Sequence, residues 1–493
     1  MAGKSLLFIL VFGAFWQSAS ANFDFNANCV DAYNAILSLR MTEARQLIQR
    51  EKQHNPDNGI TILLDNYIDY FGLLASDSKT DYEKLKDRRS DRLSALEDND
   101  KNSPYYLFCQ AEVYMQWGLL KGRFGDYFSS AMDLRSANGL LHDNAEKYPS
   151  FLPNQKDLAL INVVFGSLPS NLKSISRFVG MKGDSRVGLK QLENLRTELP
   201  KTKYSYYNNE VIFFLCQMNI DVLHNYGSYP ALMSYLQTMD DKSLLKAYLQ
   251  GYVAAKTAHN DEAIAFLQKA PQSAGYIEIP LISYLLGNAK LNRLDNDADT
   301  YLLKYIRDYR GINYIKDSYL KLAYFFLLQN DAGKYNYYLN MVRTKGYTSD
   351  EKDKQALREA NDARPDLTLL KARLYFDGGY YDKALAQLKT KKPADFKLLR
   401  DKIEYAYRLG RVYDKTDQTN DAIVNYLEAI RLGRSTSYYY AANAALNTGR
   451  IFEQRKDLKR AGYYYNQALD MKDHEYQSSI DNDAKDGLKR IGQ

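Results

Sequence analysis

Two stretches in the last quarter of the chain carry the same residues at the same spacing, and no other feature constrains the fold as tightly. In the first, Gly410 is followed by Tyr413, Ala422, Tyr426 and Ala429; in the second, Gly449 is followed by Phe452, Ala461, Tyr465 and Ala468. The aromatic and alanine offsets agree in both, and the two sets stand 39 residues apart (449 − 410). Steps of three and four residues keep side chains on one helix face. Small residues at such positions let two antiparallel helices approach closely, and the aromatics fill the space beside each contact. The pattern predicts a helical hairpin in each stretch, with Ala429 and Ala468 opening room for the next hairpin to stack.

Composition agrees with helices. Only 11 prolines and 27 glycines stand against 43 tyrosines in 493 residues, too few breakers for many short strands. At 45% hydrophobic residues, the chain can form a large core. Weaker copies of the spacing lie upstream. Gly251, Ala263, Leu267 and Ala270 form one, and Ala372, Tyr375, Ala384 and Leu388 another. Leu286-Gly287 with Leu303 is a poorer match, and Ala323 to Phe326 is expected on a hairpin with a shortened loop. Asp261, Asn420 or Asp421, and Asp457 are expected to cap the second helices.

These residues resemble the tetratricopeptide repeat, a helix–turn–helix unit of roughly 34 residues. The resemblance implies an all-α helix–turn–helix repeat solenoid wound as a right-handed superhelix, with an irregular helical N-terminal half. The expected organisation is a helical region over 22–240, a repeat array over 241–475, and a capping helix over 476–493 docking through Ile480, Leu488 and Ile491. By the same resemblance, the second, fifth, ninth, twelfth and thirteenth residues of each repeat face a concave groove. Counting Gly410 and Gly449 as eighth makes Tyr407, Arg411, Lys415, Asn443, Leu446 and Arg450 candidate partner-binding residues. Arg411 and Arg450 would contact an acidic segment, or else merely solvate their helices.

The first half has helical periodicity without clear repeat spacing. One segment stands out: Leu168-Pro169, Phe178-Val179-Gly180, Gly183-Asp184 and Gly188-Leu189. It resembles a stretch shared by the tetratricopeptide repeat protein 39 group and the fungal inclusion-body clearance proteins. With the C-terminal repeats in the same order, the resemblance spans 100–475. Physically, Gly180 and Gly183 would end a helix in left-handed conformations, Asp184 would cap the next helix, and Phe178 and Val179 would pack over the corner.

The N-terminus has a different purpose. Lys4, the apolar run from Leu6 to Phe12 with Ala14 to Trp16, and Ala19-Ser20-Ala21 describe a secretory signal peptide cleaved after Ala21. The run is too short to span a bilayer, which takes about 20 residues. No later segment is long enough either, so no transmembrane span is expected after cleavage. No cysteine follows the cleavage point to be acylated, the nearest being Cys29. No Asn-x-Ser/Thr acceptor occurs, which points to a Gram-negative periplasm or envelope. Cys29, Cys109 and Cys216 are read as buried thiols, with one bridge plus one free thiol as the alternative.

Chemistry is harder to find. With 66 Lys and Arg against 60 Asp and Glu, the formal charge of +6 is mild and unclustered, so no nucleic-acid partner is expected. The histidines His54, His142, His224, His259 and His474 are scattered, and no metal spacing forms. Asp295-Asn296-Asp297 and Asp481-Asn482-Asp483 imitate a calcium loop but lack its glycine and glutamate. The expectation is a non-enzymatic scaffold without cofactor or metal, holding a protein or peptide partner in its groove. The alternative is an outer-membrane glycan-capture protein.

Overall fold

The computed structural model describes residues 23–168 and 172–493; the expected signal peptide over 1–21 and Pro169 lie outside the described residues. Among the described residues the regular elements are all helical, with no strand. None of these helices is long and apolar enough to cross a membrane. The chain divides into two compact units. One comprises residues 23–72 and Tyr82–Phe214, the other Leu73–Asp81 and Leu215–Gln493.

The second unit is a succession of helix hairpins. Leu244–Lys256 pairs with Asn260–Gln268, Pro280–Arg293 with Ala298–Asp308, and Ile315–Leu328 with Ala332–Thr344. The single helix Glu351–Asn361 follows. Then Leu367–Asp377 pairs with Tyr381–Leu388, Leu399–Lys415 with Thr419–Gly433, and Tyr440–Gln454 with Leu458–Asp470. The last helix, Gln477–Arg490, packs on both members of the final pair. First helices of neighbouring hairpins also touch each other, which is the packing of a tetratricopeptide-like repeat array.

The contacts that the two strongest repeats predict are present. A Cβ on Gly410 would lie 2.5 Å from the Tyr426 ring, and one on Gly449 would lie 2.6 Å from the Tyr465 ring. Ala422, Ala429, Ala461 and Ala468 are fully buried in the same core, with Phe452 buried and Tyr413 packed at its edge. Gly251 meets Leu267 in the same way, at 2.3 Å. Burying each such large side chain stabilises by roughly 1.5–3 kcal/mol.

The turns follow one rule. Seven residues after the small residue of each hairpin comes a residue in the left-handed region: Ala258 after Gly251, Leu294 after Gly287, Asn330 after Ala323, Gly379 after Ala372, Asp417 after Gly410, and Lys456 after Gly449. The next residue's N–H then reaches back to a carbonyl in the last turn of the first helix, as in His259 to Ala254 (2.9 Å) and Asp457 to Phe452 (2.9 Å). This closure satisfies carbonyls that a helix end leaves without partners.

The same register extends into the first unit, where spacing alone had shown none. Ala32 precedes left-handed Leu39, and Gly118 precedes left-handed Gly125. A Cβ on Gly118 would lie 3.2 Å from Leu134, sixteen residues on. These residues belong to the hairpins Ala27–Leu37 with Met41–His54 and Pro104–Arg123 with Tyr127–Lys147.

Several local expectations are corrected. Gly287 packs on Leu302, 2.6 Å from where its Cβ would be, whereas Leu303 is exposed. The turn after Ala323 has the common length. Asp457 caps its helix by accepting the Arg460 N–H at 3.0 Å, but the helices beginning at Asn260 and Thr419 carry no side-chain cap. At the Gly-Asp corner, Gly180 is left-handed (φ 67°) and Asp184 caps Ser185–Glu198 by accepting from Arg186 and Val187. Gly183 has a different purpose: its Cβ would lie 2.4 Å from the Asn162 carbonyl. With Gly166 and Gly188 it lets Pro153–Gly166 and Ser185–Glu198 touch backbone to backbone. Val179 is buried as expected, but Phe178 stays 72% exposed and rests against Phe128.

The first unit also buries a charge cluster. Lys156 Nζ lies 2.5 Å from Glu112, 2.8 Å from Asp157 and 3.2 Å from Glu210, all essentially inaccessible to solvent. Tyr33 and Tyr67 donate their hydroxyls to Glu210 at 2.5 and 3.0 Å. Three carboxylates around one ammonium leave excess negative charge in a low dielectric. Burial, then Glu112, push the Asp157 carboxyl well above its usual range. Burial also raises Glu210 against the opposing pull of Lys156. The three cysteines are buried and unpaired, and burial pushes the Cys29 thiol up to about 12.

Candidate functional site: a pocket at the groove positions of the upstream hairpins

The count that gives the expected groove positions downstream applies to the upstream hairpins as well. With Gly251, Gly287, Ala323 and Ala372 counted as eighth, Lys256 is a thirteenth residue. Tyr284, Asn288 and Asn292 are fifth, ninth and thirteenth; Asp317 and Leu320 are second and fifth; Arg373 and Asp377 are ninth and thirteenth. All of these line one pocket of about 330 Å³. Lys321, Lys352, Gln355, Glu359 and Tyr476 complete its charged and polar wall.

A polar chain runs along one side. Lys352 Nζ donates to the Tyr284 hydroxyl at 3.1 Å, which donates to Asp317 Oδ2 at 2.8 Å. The Tyr284 ring stacks on Tyr314 at 4.8 Å, fixing that hydroxyl in place. Asp353 supports this corner, accepting the Tyr314 and Asp317 N–H groups at 2.6 and 3.0 Å to cap Ile315–Leu328 from a neighbouring helix. Burial raises the Asp353 carboxyl to about 7 in spite of those bonds.

On the other side, Glu359 pairs with Arg373 at 2.8 Å and accepts from Gln355 at 2.9 Å and from the Tyr324 hydroxyl. Burial alone would raise Glu359; Arg373 and these donors overcome it and hold the carboxyl down to about 2. Asp377 lies 3.9 Å from the Arg373 Nε. The pocket's acids thus have partners on their own wall. Lys256, Lys321 and Lys352 make no ion pair among the described residues. Burial, then the nearby Lys352, lower the pKa of Lys256. Asn288 Oδ1 is buried without a hydrogen-bond partner. Such an arrangement can hold anionic and N–H-bearing groups by charge-assisted and neutral hydrogen bonds.

The six residues expected from the downstream repeats lie elsewhere. Tyr407 and Leu446 are 1% and 2% exposed and belong to the core. Arg411 donates to the Tyr407 hydroxyl at 2.8 Å and lies over the Phe376 ring at 4.5 Å. Lys415 is exposed, and Asn443 is half-buried beside Asn447. Arg450 meets an acid of its own chain, Asp483, at 2.8 Å. The run Tyr438 to Tyr440 fills this part of the array, with Tyr440 5.4 Å from the Tyr407 ring. Among the described residues no group of three or more His, Cys, Asp or Glu side chains is arranged to hold a metal ion.

No family model matches the chain, and no curated protein does. Among solved structures, a chain of the crystal structure of the APC/C hetero-tetramer Cut9-Hcn1 aligns over 94% of this chain and 96% of its own, at 13% identity and a TM-score of 0.27. An overlap that slight assigns neither fold nor partner, and the repeat architecture stands on the hairpin register alone.

Proposed function

We propose that the protein is a non-enzymatic interaction scaffold that holds a segment of a partner protein at the groove face of its repeat hairpins. One observation carries the reading: groove positions of four different hairpins converge on a single pocket. Repeat arrays of this kind present extended binding surfaces without needing a reaction centre. The signal-peptide pattern at the N-terminus favours an exported protein of a Gram-negative envelope, and the Gly-Asp corner keeps the inclusion-body clearance family as the relative to compare with.

Filling the pocket tests the reading. Asn292→Trp puts a bulky ring at a thirteenth position lining it, and Val424→Trp puts the same ring at a surface site that is 65% exposed. In pull-downs from the native organism, the Asn292 variant should lose the proteins that wild type retains, while the Val424 variant keeps them. Equal retention by all three, with unchanged circular dichroism, contradicts a groove-bound partner.

A further inference from the structure

The pocket's charges are unevenly satisfied. Each acid on its wall is engaged from within the chain: Glu359 by Arg373, Asp317 by the Tyr284 hydroxyl, and Asp377 at longer range by Arg373. The ammonium groups of Lys256, Lys321 and Lys352 come from three different helices and none has a carboxylate within ion-pair distance among the described residues. Lys256 is partly buried and lies over the Tyr252 ring at 5.3 Å, where a cation without a carboxylate at ion-pair distance is costly. A buried acceptor, Asn288 Oδ1, also lacks a donor. Cations without carboxylate partners together with an unmatched acceptor call for an occupant that supplies both anionic oxygens and hydrogen-bond donors. An acidic peptide supplies carboxylates and backbone N–H groups several ångströms apart, whereas a single inorganic anion carries all its groups on one centre.

Building on the groove reading above, we infer that the pocket's occupant is an acid-rich peptide segment, its carboxylates held by Lys256, Lys321 and Lys352 and one of its backbone N–H groups held by Asn288 Oδ1. The fixed wall charges stay paired on binding, so recognition draws on the three lysines that lack a carboxylate partner. The pocket volume of about 330 Å³ limits the occupant to a few side chains. It lies at the small end of ligand sites, which suits a short motif rather than a folded domain.

Fluorescence anisotropy of the full chain with fluorescein-labelled hexaglutamate tests this, with hexaglutamine as the neutral probe and inorganic phosphate as competitor. Hexaglutamate should bind and hexaglutamine should not. The variant Lys256→Gln/Lys321→Gln/Lys352→Gln should weaken hexaglutamate by about tenfold or more, because charge-assisted bonds are lost. A charge-matched variant at exposed positions, Lys190→Gln/Lys459→Gln/Lys485→Gln, should leave the affinity within about twofold, since rim charges contribute little. Asn288→Leu should weaken binding by about threefold to tenfold, the worth of one hydrogen bond. Equal losses in the two triple variants overturn the inference, as does hexaglutamine binding as tightly as hexaglutamate. Phosphate binding with no peptide binding overturns it too, by assigning the site to a small anion. If Asn292→Trp abolishes partner retention while hexaglutamate fails to bind, the groove reading stands and the acidic occupant is wrong.

Discussion

Single residues set the tolerances of this molecule, and two kinds can be tested separately. Alanine is the better helix former by about 1 kcal/mol, so Gly→Ala at an open helical position raises stability. Gly410 is not open: its Cβ would sit 2.5 Å from the buried Tyr426 ring. Gly410→Ala should therefore lower the melting temperature, at a cost of about 1–3 kcal/mol for overpacking. Gly139, with nothing near its Cβ position, should respond with the opposite sign. The second kind is the buried charge cluster. Asp157 and Glu210 have raised folded-state pKa values, as does Lys156. A raised folded pKa contributes stability below the unfolded value, near 4 for the acids, that is lost as pH rises through the folded value. Thermal melts across pH should thus show the first unit weakening on the alkaline side, with a flatter profile in Asp157→Asn. Lys156→Met leaves three carboxylates without their cation and should cost about 3–5 kcal/mol near neutral pH. Glu359 works in the other direction: held down to about 2, it contributes stability above its unfolded value that is lost as pH falls towards 2.

At the scale of the hairpin, the left-handed residue is the constant feature and the residue type is not. Leu39, Ala258, Leu294, Asn330, Asp417 and Lys456 all adopt a conformation that glycine adopts more cheaply. For a side chain with a Cβ that strain is roughly 1–2 kcal/mol. Lys456 is exposed, so replacing it loses no packing. Lys456→Gly should raise the unfolding free energy by about 0.5–1 kcal/mol, the strain relief less glycine's added chain entropy, measurable by urea titration. The same contrast explains what could be read from sequence. The Gly410 and Gly449 hairpins were legible because a glycine facing a tyrosine is an unusual pair at a fixed spacing. The Ala32 and Gly118 hairpins were not, because alanine, serine and leucine are too common at any spacing to single out. Leu302 was mistaken for Leu303 because the second helix there, Ala298–Asp308, comes into register one residue early. The expected caps are absent at Asn260 and Thr419 because the N-cap position falls on His259 and Gln418 rather than on the residues that follow, whereas in the last hairpin it falls on Asp457.

For the molecule as a whole, the positions expected to face a groove differ between the downstream and the upstream repeats. At Gly410 and Gly449 the tyrosines of 438–440 occupy the space, and Tyr407 and Leu446 become core. In the upstream hairpins the fifth positions carry the same residue types, Tyr284 and Leu320, yet there they line an open pocket. Nothing in the linear spacing distinguishes a filled groove from an open one, because that depends on which later side chains fold back onto it. Tyr476, beside the last helix, is an example: it lines a pocket otherwise built from residues 255–377. The most direct test is photo-crosslinking from a benzoylphenylalanine placed at Asn292, with the attached peptide mapped by mass spectrometry. The account predicts that one defined, acid-rich segment of a partner is captured there and not from the same probe at Val424. Capture from both positions alike, or attachment only to unrelated sequences, would contradict it.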